Sequence, residues 1–160
     1  MSFAISIAVS GLASYAAGRA WGSEEWWRSA APARAIGAGA ALAVVSIAIV
    51  AVLPSTWHRA AFATLLLGIS AEYTGFALID RRPARIVLEA AWAAGTTAAA
   101  IADVLGPPAW LAAGFIAHVG WDLMHHNGIN RIDKHAVPGW YASACMAYDL
   151  PVGIAALILT

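Results

Sequence analysis

Charge is scarce in this chain. Only 11% of its 160 residues are Asp, Glu, Lys or Arg, and they sum to a formal net charge of zero. A soluble domain carries nearer a quarter. Neutrality argues against nucleic acid as a partner, because that interaction draws on a surplus of Lys and Arg. Cysteine is scarcer still. Cys145 stands alone in an apolar run, so no intrachain disulfide can form, and cysteine usage does not point to a compartment. No basic residue precedes the first apolar stretch, which speaks against a cleaved signal peptide. A nucleophile elbow, a P-loop and a dinucleotide-binding glycine pattern are also missing. Metal or acid–base chemistry is what remains for an enzyme built from these residues.

Apolar residues are abundant, at 61% of the chain, with a mean hydropathy of +0.71. A polar shell cannot cover that much apolar surface. The composition predicts an all-α, polytopic membrane bundle forming a single transmembrane domain over residues 1–160. Six apolar segments can be drawn, at about 2–20, 34–53, 59–79, 85–105, 108–126 and 138–160. Each has the roughly twenty residues needed to cross a ~30 Å hydrocarbon core. Pro32, Pro54, Pro83, Pro107, Pro108 and Pro138 fall between or at the edges of these segments, where helices start and stop. Pro151 lies inside the last segment and is expected to free a carbonyl and kink the helix near Asp149. Residues 21–33 contain Trp21, Trp26 and Trp27 beside Ser23 and two acids, a pattern suited to an interfacial segment among headgroups. Gly37, Gly39 and the alanine-rich stretch 90–100 suit close helix packing in lipid.

The basic residues set an orientation. Arg19, Arg28 and Arg34 flank the first connection, Arg81, Arg82 and Arg85 the third, and Arg131 and Lys134 lie in the fifth; only Arg59 falls on the other side. The odd-numbered connections are therefore expected in the cytoplasm. Both termini would lie outside, in a multi-pass protein of the cell membrane, the inner membrane in a bacterium. The lipid bilayer is one expected partner and a hydrophobic small molecule another. A chain this small would also suit a homo-oligomer that encloses a pocket between copies, although no residue pattern demands one.

One motif concentrates the chemistry. His118 to His126 reads H-V-G-W-D-L-M-H-H. At 100° per residue, His118, Asp122, His125 and His126 fall within about a quarter of a helix circumference. Ionisable groups on one face of a spanning helix are costly and mark a functional site by default. Counting depth along the other segments brings Glu72, Glu89 and Asp149 to the same half of the bilayer at 1.5 Å per residue. Asp103 lies near the opposite end and is left out. Four consecutive helices thus place polar groups at overlapping depths, as a shared polar chamber open to the cytoplasm would require. His118, Asp122, His125 and His126 are candidate metal ligands, with zinc or iron as the metal, because imidazole with carboxylate suits those ions and not copper(I). Glu72, Glu89, Asp122 and Asp149 are candidate catalytic acids or bases. Tyr73, Trp121, Trp140, Tyr141 and Tyr148 are candidates to shape a substrate pocket.

Each residue also has a plainer role open to it. Asp122 could fix a histidine tautomer. His125 and His126 could face headgroups, and Glu89 could pair with Arg85 one turn earlier. Glu72 and Asp149 could hydrogen-bond within the bundle, and the aromatics could belong to the interfacial belt. His135 sits in the polar loop R-I-D-K-H, where solvation is the default.

From about residue 70 onward the chain resembles a small family of bacterial integral membrane proteins of unknown function. The resemblance rests on E-Y-T-G-F-A-L (Glu72 to Leu78), Glu89, the H-x-x-W-D-x-x-x-H pattern and V-P-G-W-Y-A-S-A-C-M-A-Y-D-L (Val137 to Leu150). It implies a short polytopic fold and no mechanism. The single histidine cluster is also distantly similar to the histidine boxes of membrane fatty-acid hydroxylases and desaturases, which carry several. The ceramidase and adiponectin-receptor hydrolases, with zinc at the inner side of a helical bundle, are another distant analogy. No residue is carried over from either.

Three functions in different classes follow. The first is a membrane-embedded, metal-dependent enzyme (hydrolysis or oxidation) acting on a lipid-like or terpenoid substrate. The second is a metal-free cyclase, isomerase or epoxide-opening enzyme, in which buried carboxylic acids donate the proton and aromatic walls stabilise cations. The third is a small proton or metal-ion transporter. Clustering of the polar groups in one leaflet counts against the third.

Overall fold

Proline and one left-handed residue set the boundaries of the helices. The structure, a computed structural model, describes residues 32–106, 109–125, 137 and 140–160. Its elements are α1 (Pro32–Val52), a 3-10 turn (Ser55–Trp57), α2 (His58–Asp80), α3 (Pro83–Leu105), α4 (Trp110–His125) and α5 (Tyr141–Leu159). Among the described residues there is no strand. Arg81 ends α2 in the left-handed conformation, φ 59°, and its N–H closes on the carbonyl of Ala77. Pro83 then opens α3 at its first turn, with Arg82 held extended before it, as the ring of a following proline demands.

Four of the expected spans are present as helices long and apolar enough to cross a membrane: Ala33–Val52, Ser55–Asp80, Pro83–Leu105 and Tyr141–Leu159. The segment expected over 108–126 contains α4, described over the 16 residues Trp110–His125; the residues next to it at 107–108 and from 126 lie outside the described ones. The expected first span, 2–20, lies outside the described residues. So does the interfacial segment 21–33, except that residues 32 and 33 open α1. α5 is assigned as one helix through Pro151. The proline has no N–H to offer the carbonyl of Ala147, which costs α5 one internal bond just past Asp149.

The helices bury polar groups and expose apolar ones. On α3 the buried residues are Glu89, Thr96, Ala100 and Asp103, while Val87, Leu88, Ile101 and Val104 are exposed. On α1, Leu42, Val44, Val45 and Ile49 are exposed as well. A water-soluble helix does the reverse. The pattern is the one expected of a membrane protein, in which lipid solvates the outer face and the charges turn inward.

α5 lies between α1 and α4, α2 packs along α3, and α2 also meets α4 and α5. The shared core contains Phe62, Leu66, Phe115, Tyr148 and Val152. Small residues permit the close approaches. A Cβ on Gly39 would overlap the backbone of Ala144 on α5, and one on Gly153 would come to 2.9 Å from Cβ of Phe115. Gly37, by contrast, has nothing within 4 Å of where its Cβ would stand.

One end of the bundle is tied by side chains to backbone carbonyls. The ring nitrogens of buried His58 lie 3.1 Å from Leu159 O and 3.0 Å from Leu53 O. Arg59 Nη1 donates to the carbonyls of Asp103 and Gly106 at 3.1 and 3.2 Å, satisfying the C-terminal end of α3. Asp103 Oδ1 accepts from the N–H groups of Ala109 and Leu111 at 3.0 and 3.1 Å. Asp103 therefore caps the start of α4.

Candidate functional site

The same helices bring His118, Asp122 and Asp149 together in the interior, all with no exposed surface. His118 and Asp122 are one turn apart on α4, so their side chains share a face. Asp149 comes from α5, which packs along that face. His118 Nδ1 donates to Asp149 Oδ2 at 2.7 Å and lies 3.7 Å from Asp122 Oδ2. Tyr73 Oη, on α2, donates to Asp122 Oδ1 at 2.6 Å. Glu72 is half-buried beside Tyr73 and lies within electrostatic range of His118, Asp122 and Asp149.

This network is incompletely satisfied. His118 Nε2, Asp122 Oδ2 and Asp149 Oδ1 are buried without a hydrogen-bond partner. Leaving such atoms unpaired in a low-dielectric interior costs of order 1–3 kcal/mol each. A native interior completes such atoms with ordered water or a bound ligand.

A cation held through His118 Nδ1 would replace its hydrogen bond to Asp149 and engage the two carboxylates, while Nε2, on the other side of the ring, would stay without a partner. One ligand atom from each of the three residues lies within 4.8 Å of the others. With metal–ligand bonds of ~2.1 Å, a tetrahedral site places its ligand atoms about 3.4 Å apart. The 3.7 Å contact to Asp122 is close to that spacing and the 2.7 Å contact to Asp149 would have to open. One imidazole with two carboxylates suits zinc or iron(II), and the donor set fits the group.

The other expected site residues divide around this centre. Glu89 does not pair with Arg85. Its carboxylate accepts from Trp121 Nε1 at 3.0 Å and faces His125 Nε2 at 3.0 Å. His125 Nδ1 donates to the carbonyl of Trp121 at 3.0 Å, so a proton must lie between Nε2 and Glu89. Both ring nitrogens of His125 are thereby used, and neither is free for a metal at His118. Buried Glu89 and His125 form a second cluster with half-buried Trp121 on the α3–α4 face. Tyr73 touches both clusters, with ring centroids 5.6 Å from His118 and 4.5 Å from His125. Tyr141 packs edge-on to Tyr73 at 5.5 Å and leaves its hydroxyl buried and unpartnered. Trp140 packs against Tyr141 at 5.8 Å. Tyr148 Oη donates to Ser46 Oγ on α1 at 3.1 Å, so that hydroxyl serves the α1–α5 contact. His126 and His135 lie outside the described residues.

Three further residues with a role in the structure, two near this centre and one at the other end of the bundle, were not singled out for chemistry by the sequence. Trp92 stacks on Trp121 with centroids 4.4 Å apart and planes 4° from parallel, and its ring is 6.3 Å from His118. Its place one turn beyond Glu89 was the available signal. Cys145 is buried within electrostatic range of Asp122, Asp149 and Glu72, and lies one turn before Asp149 on α5. Asp103 is a cap; an Asp just before Gly-Pro-Pro and a new apolar run was the cue.

No known protein family, curated protein or solved structure matches the chain.

Proposed function

We propose that the chain is a six-span enzyme of the cell membrane, with its odd-numbered connections in the cytoplasm. It acts on a lipid-like or terpenoid substrate at a divalent metal centre held by His118, Asp122 and Asp149. The observation that carries this is the convergence of three fully buried side chains, each offering one ligand atom within 4.8 Å of the others. Zinc or iron(II) is the expected metal, and when bound it would activate water or support oxidation of an aliphatic chain. Glu72 is the carboxylate placed to take or return a proton beside the centre. Tyr73 holds Asp122 in orientation. Trp92 and Trp121 present a flat aromatic wall to an apolar substrate.

Elemental analysis of the purified full chain is the test. A stoichiometry near one metal per chain, lost in Asp149→Asn, is expected. A stoichiometry near zero that persists after reconstitution with zinc and with iron(II) overturns the metal centre.

One observation favours a metal-free version. Asp122 and Asp149 each already accept a hydrogen bond from a proton-bearing group, Tyr73 and His118. That arrangement also serves acid–base catalysis on an alkene or epoxide. Activity abolished by Glu72→Gln or Asp149→Asn, with no metal to lose, would select it. The transporter alternative is weakened because Asp103, the acid nearest the other end, uses Oδ1 to cap α4 and leaves a single oxygen, Oδ2, for the other half of a pathway.

A further inference from the structure

We infer that Arg85 binds the phosphate head of an amphiphile whose hydrocarbon part reaches the His118–Asp122–Asp149 centre; this rests on the function proposed above and names its substrate class.

Arg81, Arg82 and Arg85 fall within five residues at the α2–α3 connection. Asp80 is committed to Arg82, with Oδ2 2.6 Å from its Nε. Arg85 Nη2 is buried and has no hydrogen-bond partner. A buried guanidinium nitrogen left unpaired is costly. Arg85 also lies in the first turn of α3, which contains no acid, at the helix end that repels cations. Glu89, one turn further, is occupied by Trp121 and His125 and does not neutralise it. An anion beside Arg85 would relieve both penalties. Phosphate is the group whose oxygens match the guanidinium fork.

The same end of the bundle leads inward to the proposed centre. Arg85 is four residues from Glu89, which meets His125, and His125 is seven residues from His118 on α4. At 1.5 Å per residue, the backbones of Arg85 and His118 are about 16 Å apart along the bundle. Between them lie the buried Glu89–His125 pair and the rings of Trp121, Trp92 and Tyr73. A phosphate held at Arg85 is therefore too far away to be the reacting group. The bond that reacts lies in the hydrocarbon portion of the substrate.

Isothermal titration of the detergent-purified full chain tests this, using dodecyl phosphate, dodecanol and inorganic phosphate as probes. Dodecyl phosphate is expected to bind roughly tenfold more tightly than dodecanol, the size of one charge-assisted hydrogen bond. Arg85→Gln should abolish the preference and Arg85→Lys should keep part of it, with both retaining the helical circular dichroism of the parent. Equal affinity for the phosphate and the alcohol overturns the inference, as does a preference that survives Arg85→Gln. Inorganic phosphate binding as tightly as dodecyl phosphate would make the ligand a free anion and overturn the amphiphile. Asp149→Asn separates the two proposals: it should lose metal and keep the phosphate preference, while Arg85→Gln should do the opposite.

Discussion

His118 on α4 and Asp149 on α5 meet at 2.7 Å with both side chains withdrawn from the surface. They join two helices that otherwise pack through apolar and small residues such as Phe115 and Gly153. The pair uses one nitrogen of the imidazole and one oxygen of the carboxylate and leaves the other of each unpartnered. Those two free atoms are positions for ordered water or a bound ion.

Substitutions at the pair should separate stability from metal binding. Removing one partner of a buried pair costs roughly 3–5 kcal/mol, because the other is left uncompensated. Asp149→Ala should therefore lower the thermal midpoint strongly. Asp149→Asn retains a shape and an acceptor for His118 Nδ1, and should cost less. Both should lose the metal. Thermal unfolding and elemental analysis of the same preparations check this; a fully metallated Asp149→Asn protein would remove Asp149 from the centre.

Tyr73→Phe isolates the bond from Tyr73 Oη to Asp122 Oδ1. The ring contacts with His118, His125 and Tyr141 stay, so the loss is attributable to one hydroxyl. Asp122 Oδ2 already lacks a partner, and the change would strip Oδ1 of its donor as well. The expected cost is about 1–3 kcal/mol, measured by thermal or denaturant unfolding. Bound metal should rescue part of it by taking up the freed oxygen, so the penalty should be smaller in metal-loaded protein than after chelation.

Depth was readable in the sequence, and rotation about each helix axis was not. A fixed rise of 1.5 Å per residue places Glu72, His118, Asp122 and Asp149 at similar heights, and the structure brings these four together. The same count gave Glu89 and His125 the right height but could not say that they turn to each other. That depends on how α3 and α4 are rotated by their packing, which Trp92 stacked on Trp121 helps to fix. Arg85 looked like the natural partner of Glu89 because i and i+4 are neighbours on any helix; the tertiary partners Trp121 and His125 won. Asp103 was set aside on depth alone, and its capping role depends on the start of α4 lying beside the end of α3, which the sequence does not show. Of the six expected spans, four are present among the described residues as helices long and apolar enough to cross a membrane.

The α1–α5 contact makes a contrast between two glycines two residues apart. A methyl group at Gly39 would overlap the Ala144 backbone, whereas Gly37 faces open space. Gly39→Ala must push the helices apart and should cost roughly 1–3 kcal/mol, as overpacking does. Gly37→Ala should be neutral or stabilising by up to about 1 kcal/mol, because alanine is the better helix former. Comparative thermal unfolding of the two variants measures the difference. Equal effects would mean that α1 does not pack on α5 through Gly39.

Asp103 offers a prediction that separates scaffold from site. Its Oδ1 bonds the N–H groups of Ala109 and Leu111, and its backbone carbonyl accepts from Arg59. The side chain thus joins the end of α3 to the start of α4, the helix that carries His118 and Asp122. Asp103→Ala should cost about 0.5–2 kcal/mol, the usual loss for an N-cap oxygen. Asp103→Asn should lose less, because the amide oxygen can still accept both bonds and neither needs a charge. Since Asp103 is some fifteen residues of chain from His118 and donates nothing to the His118–Asp149 pair, both variants should bind metal at the parent stoichiometry. Thermal unfolding read beside elemental analysis is the check. Stability falling while stoichiometry holds keeps Asp103 in the scaffold; metal lost from a folded Asp103→Asn protein would place the acid in the functional machinery and revive a pathway spanning the whole bundle.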